Sequence, residues 1–273
     1  MIRTRVLRFA KAAWQFIMEA MGSDLGEELF DQYLAANGYE VVAREPGLGT
    51  AKRPDRLIRA AQHKVVVEIK SFNPEPLPSA DGPHYDLQTL TLKKVHDKIS
   101  EAAKQLKNID GYPLVVVLTN PMDAPLPLEP TLMTQVLYGD LEVVNGADGS
   151  KQWRFGRNGR LYVDGVNGPS RGNHAHVSAV CVLQKLPAEA AVTTSWMQQN
   201  AADFPNPLAA YVEALARVRP EDRSGSALRL DVFETVSRAA HRLPREVFAG
   251  RFDSRWGIVS PGIYGRLEGD ARE

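Results

Sequence analysis

Hydrophobic and polar residues in the first half of the chain follow a pattern that predicts one helix and then three strands. Apolar residues recur at helical spacing from Leu25 to Leu34, and Asn37-Gly38 ends the helix. Short apolar runs then predict strands at Tyr39–Ala43, Arg53–Ile58 and Lys64–Ser71. Gly47 allows a turn between the first two strands, so that they can pair.

The pattern continues with a second helix and a buried strand. The segment Leu92–Leu106 is predicted to be helical because Val95 and Ile99 fall on one apolar stripe. The uninterrupted apolar run in Pro113–Thr119 is typical of a strand buried on both faces, and Asn120-Pro121 ends it. The predicted order is therefore helix, three strands, helix, strand.

Candidate chemistry lies at the end of the third predicted strand. Side chains on a strand point to alternate faces, so Glu68 and Lys70 share one face while Ile69 points to the other. Asp55 lies in the neighbouring predicted strand and adds a second carboxylate. Carboxylate oxygens suit Mg²⁺, and a nearby lysine can hold a phosphate or help to polarise an attacking water. The set is suited to metal-assisted hydrolysis of phosphodiester bonds.

Glu68 also has a less specific interpretation, as the charged end of a strand that reaches solvent. A motif this short arises by chance in roughly one chain in thirty, so the surrounding sequence has to decide. Glu68 directly continues the apolar run Val65–Val67, where a carboxylate is costly unless it is paired or binds metal. This position favours a functional carboxylate.

With these residues in this order of elements, the chain resembles the PD-(D/E)XK nuclease superfamily, which has a restriction-endonuclease-like core. The resemblance covers about residues 22 to 120, and it places the acidic pair of the family on Asp55 and Glu68 and its lysine on Lys70. It implies a site for Mg²⁺ or Mn²⁺ in which the Ile69 carbonyl can add a ligand. Lys70 would orient or activate water and stabilise charge on the phosphate.

The first predicted helix offers a candidate third acid. Its sequence resembles the first helix of resolvase-like members of the superfamily, and the matching positions are Glu27, Phe30, Tyr33, Leu34, Gly38 and Tyr39. In those members a glutamate near the start of the helix joins the metal site. Here that glutamate would be Glu27, and the adjacent Glu28 is the alternative.

The second predicted helix would pack beside the active-site strands in this superfamily. Lys98 and Gln105 are seven residues apart and nearly aligned on one face, so both are candidate polar contacts to the substrate or to the site. The alternative is a solvated helix face, formed by the charged residues Lys94, Asp97, Lys98, Glu101 and Lys104.

Residues 151 to 185 carry an excess of positive charge. Their basic residues are Lys151, Arg154, Arg157, Arg160, Arg171 and Lys185, against the single acid Asp164. Aromatic residues are interleaved with them, and Asn158-Gly159 predicts a two-residue hairpin turn. Such a basic hairpin could contact nucleic acid through Arg154, Arg157 and Arg160, and the alternative is an exposed hairpin whose arginines are solvated.

Two further motifs are interpreted as structural. A buried strand is predicted at His176–Leu183. If the strand began at His174, the side chains of His174 and His176 would share one face, and such a pair can bind zinc. No cysteine or acidic cluster accompanies them in sequence, which favours a structural role. Cys181 lies within the apolar run Val177–Leu183 and is predicted to be a core residue.

Composition narrows the class of protein. The 273 residues carry 33 basic and 33 acidic side chains, and this zero net charge argues against a uniformly basic nucleic-acid binder. No apolar stretch approaches the length of a membrane span, and one cysteine cannot form an intrachain disulfide, so we expect a cytoplasmic chain. Met1–Met21 is interpreted as an amphipathic helix packed on the domain, not as a signal peptide.

The second half is predicted to extend the same domain. Helices are expected at Glu129–Leu137 and Leu208–Val218, and Pro220–Gly225 is the best candidate for a late linker. The expected architecture is one α/β domain over residues 1–273, with a restriction-endonuclease-like core and a mixed sheet extended by residues 121–273.

The leading functional hypothesis is a Mg²⁺- or Mn²⁺-dependent nuclease that acts on DNA. A ribonuclease would share the metal chemistry, and a non-catalytic nucleic-acid-binding or interaction module could retain the fold. The intact Asp55, Glu68 and Lys70 argue against the non-catalytic alternative. The sequence leaves the oligomeric state open, with a homodimer among the options.

Overall fold

A computed structural model of the chain describes residues 25–49, 52–73, 87–122, 126, 128–139, 141–145, 151–155, 174–200, 203–204, 206–235, 241–260 and 263–267. The predicted helix Met1–Met21, the turn at Asn158-Gly159, and Arg157 and Arg160 lie outside these residues. Within the described ranges, no helix combines the length and apolar character that a membrane span requires.

A mixed sheet of parallel and antiparallel strands organises the described α/β structure. The strands are β1 (Glu40–Arg44), β2 (Arg56–Ala60), β3 (His63–Ser71), β4 (Leu114–Thr119), β5 (Leu141–Asn145), β6 (Lys151–Phe155), β7 (Ala179–Pro187), β8 (Ser226–Glu234), β9 (Ser254–Ser260) and β10 (Ile263–Arg266). Eight of these described strands form the main sheet in the order β1-β2-β3-β4-β7-β8-β9-β10, while β5 and β6 form a separate hairpin. The strand β3 pairs antiparallel with β2 and parallel with β4.

Helices cover both faces of the sheet. They are α1 (25–36), α2 (Leu87–Leu106), α3 (Pro130–Tyr138), α4 (Ala188–Asn200) and α5 (Pro207–Ala216). Strand alternation places Val65 and Val67 of β3 in a buried cluster with Phe30 of α1. Val66 points to the opposite face and belongs to a second cluster with Ile99 of α2. By the same alternation, Glu68 and Lys70 point towards the α2 face.

The first six predicted elements occur in the predicted order, with shifts at their ends. Helix α2 begins at Leu87, five residues before the predicted start at Leu92. Strand β2 begins at Arg56 instead of Arg53. Pro54 has no N–H to donate to a strand ladder, which explains the later start and places Asp55 just before β2.

The strand predicted at His176–Leu183 starts later than predicted, so His174 and His176 do not share a strand face. Strand β7 begins only at Ala179, and His174 adopts a positive φ of 71° in the preceding turn. His176 Nε2 hydrogen bonds to the carbonyl oxygen of Ala103 at 2.7 Å, which ties this turn to α2. Cys181 is fully buried in β7, and burial raises the pKa of its thiol, as suits a core residue.

Several elements of the second half were not predicted, namely α4, β5, β8, β9 and β10. Residues Pro220–Arg223 form a short 3-10 helix that leads directly into β8. Strand β8 then pairs with β7 from Ser226 to Glu234, so the segment after α5 returns the chain to the main sheet. Arg229 and Asp231 interrupt the apolar pattern of β8, although both are buried in the structure.

Helix α1 begins in close contact with the ends of β3 and β4. Gly26 packs against Ser71 and Thr119, whose hydroxyl groups hydrogen bond to each other at 2.9 Å. A Cβ atom at Gly26 would overlap both hydroxyl oxygens, so only glycine allows this approach. The contact fixes the position of Glu27 relative to the end of β3.

We expect Gly26→Ala to lower the free energy of unfolding by about 1–3 kcal/mol, because overpacking here outweighs the higher helix propensity of alanine. Gly47→Ala is the matched control, since its Cβ would meet no atom within 4 Å, and it should change stability by less than about 0.5 kcal/mol. Urea denaturation measures both. A Gly26→Ala variant as stable as the control would contradict the packing described.

Candidate active site

Asp55, Glu68 and Lys70 come together where β2 and β3 pair. Arg56 stands opposite Val67 in the antiparallel ladder, so that Asp55, one residue earlier, is the neighbour of Glu68. The Asp55 Oδ2 atom accepts a hydrogen bond from the backbone N–H of Ile69 at 2.6 Å. The structure therefore places both acids and the lysine on the same side of the sheet.

The Glu68 carboxylate is the most constrained group of the site. Its side chain is 1% exposed, and its Oε1 atom lies 2.9 Å from Lys70 Nζ. Its Oε2 atom is buried without a hydrogen-bond partner among the described residues. Because an unsatisfied buried oxygen is costly, this lone oxygen fits a role as a ligand for a cation.

Burial disfavours the charged forms of both acids, and repulsion by a neighbouring acid adds to the effect. Burial, assisted by the charge of Asp55, raises the pKa of Glu68 from 4.5 to about 7, although Lys70 opposes the shift. Burial also raises the pKa of Asp55, against the hydrogen bond from Ile69. Two carboxylates with raised pKa values in one place are typical of a site that a positive ion would stabilise.

Helix α2 holds the Lys70 amine in place. Its Nζ atom donates to Gln105 Oε1 at 2.6 Å and lies 3.1 Å from Glu101 Oε1. Burial works against the charge of Lys70, but the carboxylates of Glu68 and Glu101 raise its pKa above the ordinary value. Lys70 is therefore held as an ammonium ion, which suits contact with an anion better than removal of a proton.

Arg56 anchors the opposite face of the same strand pair. Its side chain is 2% exposed, and its guanidinium donates to the backbone carbonyl of Asp55 at 2.8 Å. It also binds Glu27 Oε2 at 2.9 Å and Asp31 Oδ1 at 3.0 Å, both on α1. Burial opposes the charge of Arg56, but its hydrogen bonds to Asp31 and Glu27 raise its pKa.

Glu27 and Glu28 occupy different surroundings. Glu27 binds Arg56, and its charge contributes to the raised pKa of Asp55. Glu28 is exposed and accepts a long hydrogen bond of 3.4 Å from Gln32. Among the described residues, no three His, Cys, Asp or Glu side chains converge as a metal-binding group. The structure thus brings Glu27 nearer to the acidic pair than Glu28 and commits one of its oxygens to Arg56.

A groove of about 540 Å³ opens on the α1 side of this network. It is lined by Glu27, Glu28, Asp31, Gln32, Ala35, Arg44 and Arg56. Arg44 binds Asp31 at 2.7 Å, so the groove wall continues the alternation of acids and arginines.

The remaining predicted contacts lie elsewhere. Lys98 is half-buried on α2, one helical turn before Glu101. Arg154 lies on β6, which pairs with the preceding strand β5 so that Arg154 stands opposite Glu142. The sequence predicts that β6 pairs instead with the segment after Asn158-Gly159, which falls outside the described residues.

Sequence reasoning did not assign site roles to Glu101 and Arg56. Glu101 precedes Gln105 by four residues, so helical spacing places the two side chains close together, although the charged residues around Glu101 are typical of a solvated face. Arg56 gave no such signal, because nothing in a lone arginine after Asp55 distinguishes a buried guanidinium from a solvated one.

The raised pKa of Glu68 predicts a pH dependence of stability for the metal-free protein. Below pH 4.5 the group is protonated in both states, and between 4.5 and about 7 only the unfolded chain releases the proton. The free energy of unfolding should therefore fall by about 3 kcal/mol across this range relative to a Glu68→Gln variant, and then level off.

Chemical denaturation of both proteins at several pH values, with EDTA present, measures this difference. The Glu68→Gln variant provides the control because it retains every other titrating group. Parallel pH profiles for the two proteins would contradict the buried, repelled state of the Glu68 carboxylate.

Comparison with known proteins assigns no family to the chain. No family model matches it, and no curated protein matches it. It is similar to a solved structure of Pyrococcus furiosus SfsA in complex with Ca²⁺, with 18% identity and a TM-score of 0.19, covering 48% of this chain and 59% of that chain. The match thus spans less than two thirds of that protein.

Proposed function

We propose that this chain is a metal-dependent nuclease in which Asp55 and Glu68 hold a divalent ion and Lys70 contacts the phosphate. The observation that carries the proposal is the buried Oε2 atom of Glu68, which lacks a hydrogen-bond partner within the described structure. A neighbouring carboxylate and an ammonium group complete the set.

The donor set suits Mg²⁺ or Mn²⁺. Glu68 offers its free oxygen, and Asp55 keeps one oxygen beyond the one that binds the Ile69 N–H. Both are hard oxygen ligands of the kind these ions prefer, and the Ile69 carbonyl is the further ligand that the family resemblance implies. A bound divalent ion would offset the negative charge of the phosphodiester and make water a stronger nucleophile.

Lys70 would supply the fixed positive charge that meets the substrate. Of its two carboxylate partners, Glu68 is 1% exposed, whereas Glu101 is 55% exposed. A phosphate oxygen can therefore replace Glu101 more readily than Glu68, because the displaced carboxylate returns to water. Gln105 would keep the amine oriented during this exchange.

We extend the proposal to the fold and the substrate. The described order of helix, three strands, helix and strand is that of a restriction-endonuclease-like core, which supports this fold. DNA is the proposed substrate, with Arg154, Arg157, Arg160 and Lys98 as candidate contacts to its phosphates.

Asp55→Asn, Glu68→Gln and Lys70→Met should each reduce Mg²⁺-dependent cleavage of DNA by at least about a hundredfold, because each removes charge stabilisation worth several kcal/mol. Glu28→Gln and Lys107→Met are the controls, since they make the same chemical changes at exposed positions. Cleavage of linear, branched and single-stranded DNA, and of RNA, with Mg²⁺, Mn²⁺ or EDTA gives the readout.

Two outcomes would count against the proposal. Equal cleavage by the site variants and the unaltered protein would point to a contaminating nuclease. Cleavage that persists in EDTA would remove the metal from the mechanism.

Replacing Arg154, Arg157 and Arg160 with glutamine should weaken DNA binding and make its salt dependence shallower. The slope of log affinity against log salt should change by up to about 0.9 for each of these arginines that binds a phosphate of duplex DNA. The matched control replaces Arg217, Arg219 and Arg223 with glutamine. These arginines are exposed and follow α5, and their replacement removes the same amount of charge. If the variant at Arg154, Arg157 and Arg160 keeps the affinity and the salt slope of the unaltered protein, DNA binds elsewhere, for example over the surface that carries Lys98.

A further inference from the structure

Arg56 is a buried cation that the proposed chemistry does not use. It follows Asp55 directly, yet strand alternation turns it to the α1 face, away from Glu68 and Lys70. A guanidinium that is 2% exposed needs partners for its N–H groups, because a buried unpaired charge is costly. Its partners therefore show what the charge is used for.

The guanidinium joins the main chain of the site to α1. One nitrogen donates to the carbonyl oxygen of Asp55 at 2.8 Å, which restrains the backbone that carries this acid. The other nitrogens bind Asp31 Oδ1 at 3.0 Å and Glu27 Oε2 at 2.9 Å. Arg56 is thus the direct link between Asp55 and the acids of the first helix.

Glu27 is the more accessible partner in this link. Its side chain is 32% exposed, whereas Arg56 is almost fully buried. If Glu27 turned towards an ion beside Asp55, the buried guanidinium would lose one of its acidic partners. Arg56 therefore competes with any ion for the Glu27 carboxylate.

We propose that Arg56 is a positioning residue that fixes the Asp55 backbone and withholds Glu27 from the metal centre, so that an ion meets two carboxylates instead of three. The inference rests on the proposed function, and it specifies which acids of this chain reach the ion. It reverses the role that the family resemblance implies for Glu27.

A double-mutant cycle with Mn²⁺ as the probe tests this inference. Calorimetry without nucleic acid would compare the unaltered protein, Glu27→Gln, Arg56→Gln and the double variant, with Asp55→Asn as the reference for loss of the site. Glu27→Gln alone should leave the Mn²⁺ affinity within about twofold, because Glu27 is not a ligand. Arg56→Gln should tighten binding by about tenfold, since it removes a positive charge and frees Glu27.

The double variant should lose that gain. Glu27→Gln would then lower the Mn²⁺ affinity about tenfold in the Arg56→Gln background and leave it nearly unchanged in the presence of Arg56. Turnover on DNA should fall in Arg56→Gln although the ion binds more tightly, because the Asp55 backbone has lost its donor. A purely structural role for Arg56 would lower the melting temperature without making the effect of Glu27→Gln depend on Arg56.

Glu27→Gln keeps the test decisive if Arg56→Gln does not fold, because Glu27 is partly exposed. A tenfold or greater loss of Mn²⁺ affinity in this single variant would overturn the inference and leave the proposed function standing, provided that Asp55→Asn also abolishes binding. No Mn²⁺ binding by the unaltered protein would overturn both. Without metal, Glu27→Gln should lower the melting temperature more than Glu28→Gln, whose partner is an exposed glutamine.

Discussion

The carboxylate of Glu68 lies at the end of an apolar strand, where water cannot solvate it, and the surrounding structure is arranged to accommodate its charge. Lys70 lies 2.9 Å from one oxygen, and Gln105 of α2 holds the Lys70 amine in turn. The second oxygen has no partner within the described chain, and Asp55 raises the energy of the charged form further. A buried acid paired on one side only, beside a second acid, is stabilised as an ion when a further cation binds.

The two faces of the β2–β3 pair balance charge in different ways. On the α2 face, Asp55 and Glu68 repel each other beside a lysine, which leaves a place for a positive ion. On the α1 face, Arg56 and Arg44 supply the two positive charges that Glu27 and Asp31 require. The close packing of Gly26 on the ends of β3 and β4 keeps α1 at the distance that this arginine spans. The β2–β3 pair therefore has balanced charges on its α1 face and an excess of negative charge on its α2 face.

Short-range periodicity was sufficient to predict the core of the site, because strand alternation places Glu68 and Lys70 on one face whatever the rest of the chain does. Helical spacing likewise predicted α2 and brought Gln105 into consideration. Long-range partners could not be predicted in this way: the burial of Arg56 depends on α1, and that of Asp231, which pairs with Arg229, depends on the hydroxyl of Ser254 on β9. Strand β8 was not predicted because the buried charged residues Arg229 and Asp231 interrupt its apolar pattern. The start of β7 was misplaced because a turn at His174 cannot be distinguished from an extended segment by composition.

If the free oxygen of Glu68 is a metal ligand, anomalous diffraction from crystals of the protein soaked in Mn²⁺ will locate the ion beside it. We expect an anomalous peak within bonding distance of Glu68 Oε2 and of a carboxylate oxygen of Asp55, with Glu27 still bound to Arg56. A peak that is absent at this position in fully soaked crystals, or a Glu68 Oε2 atom bound instead to a protein donor, would contradict it.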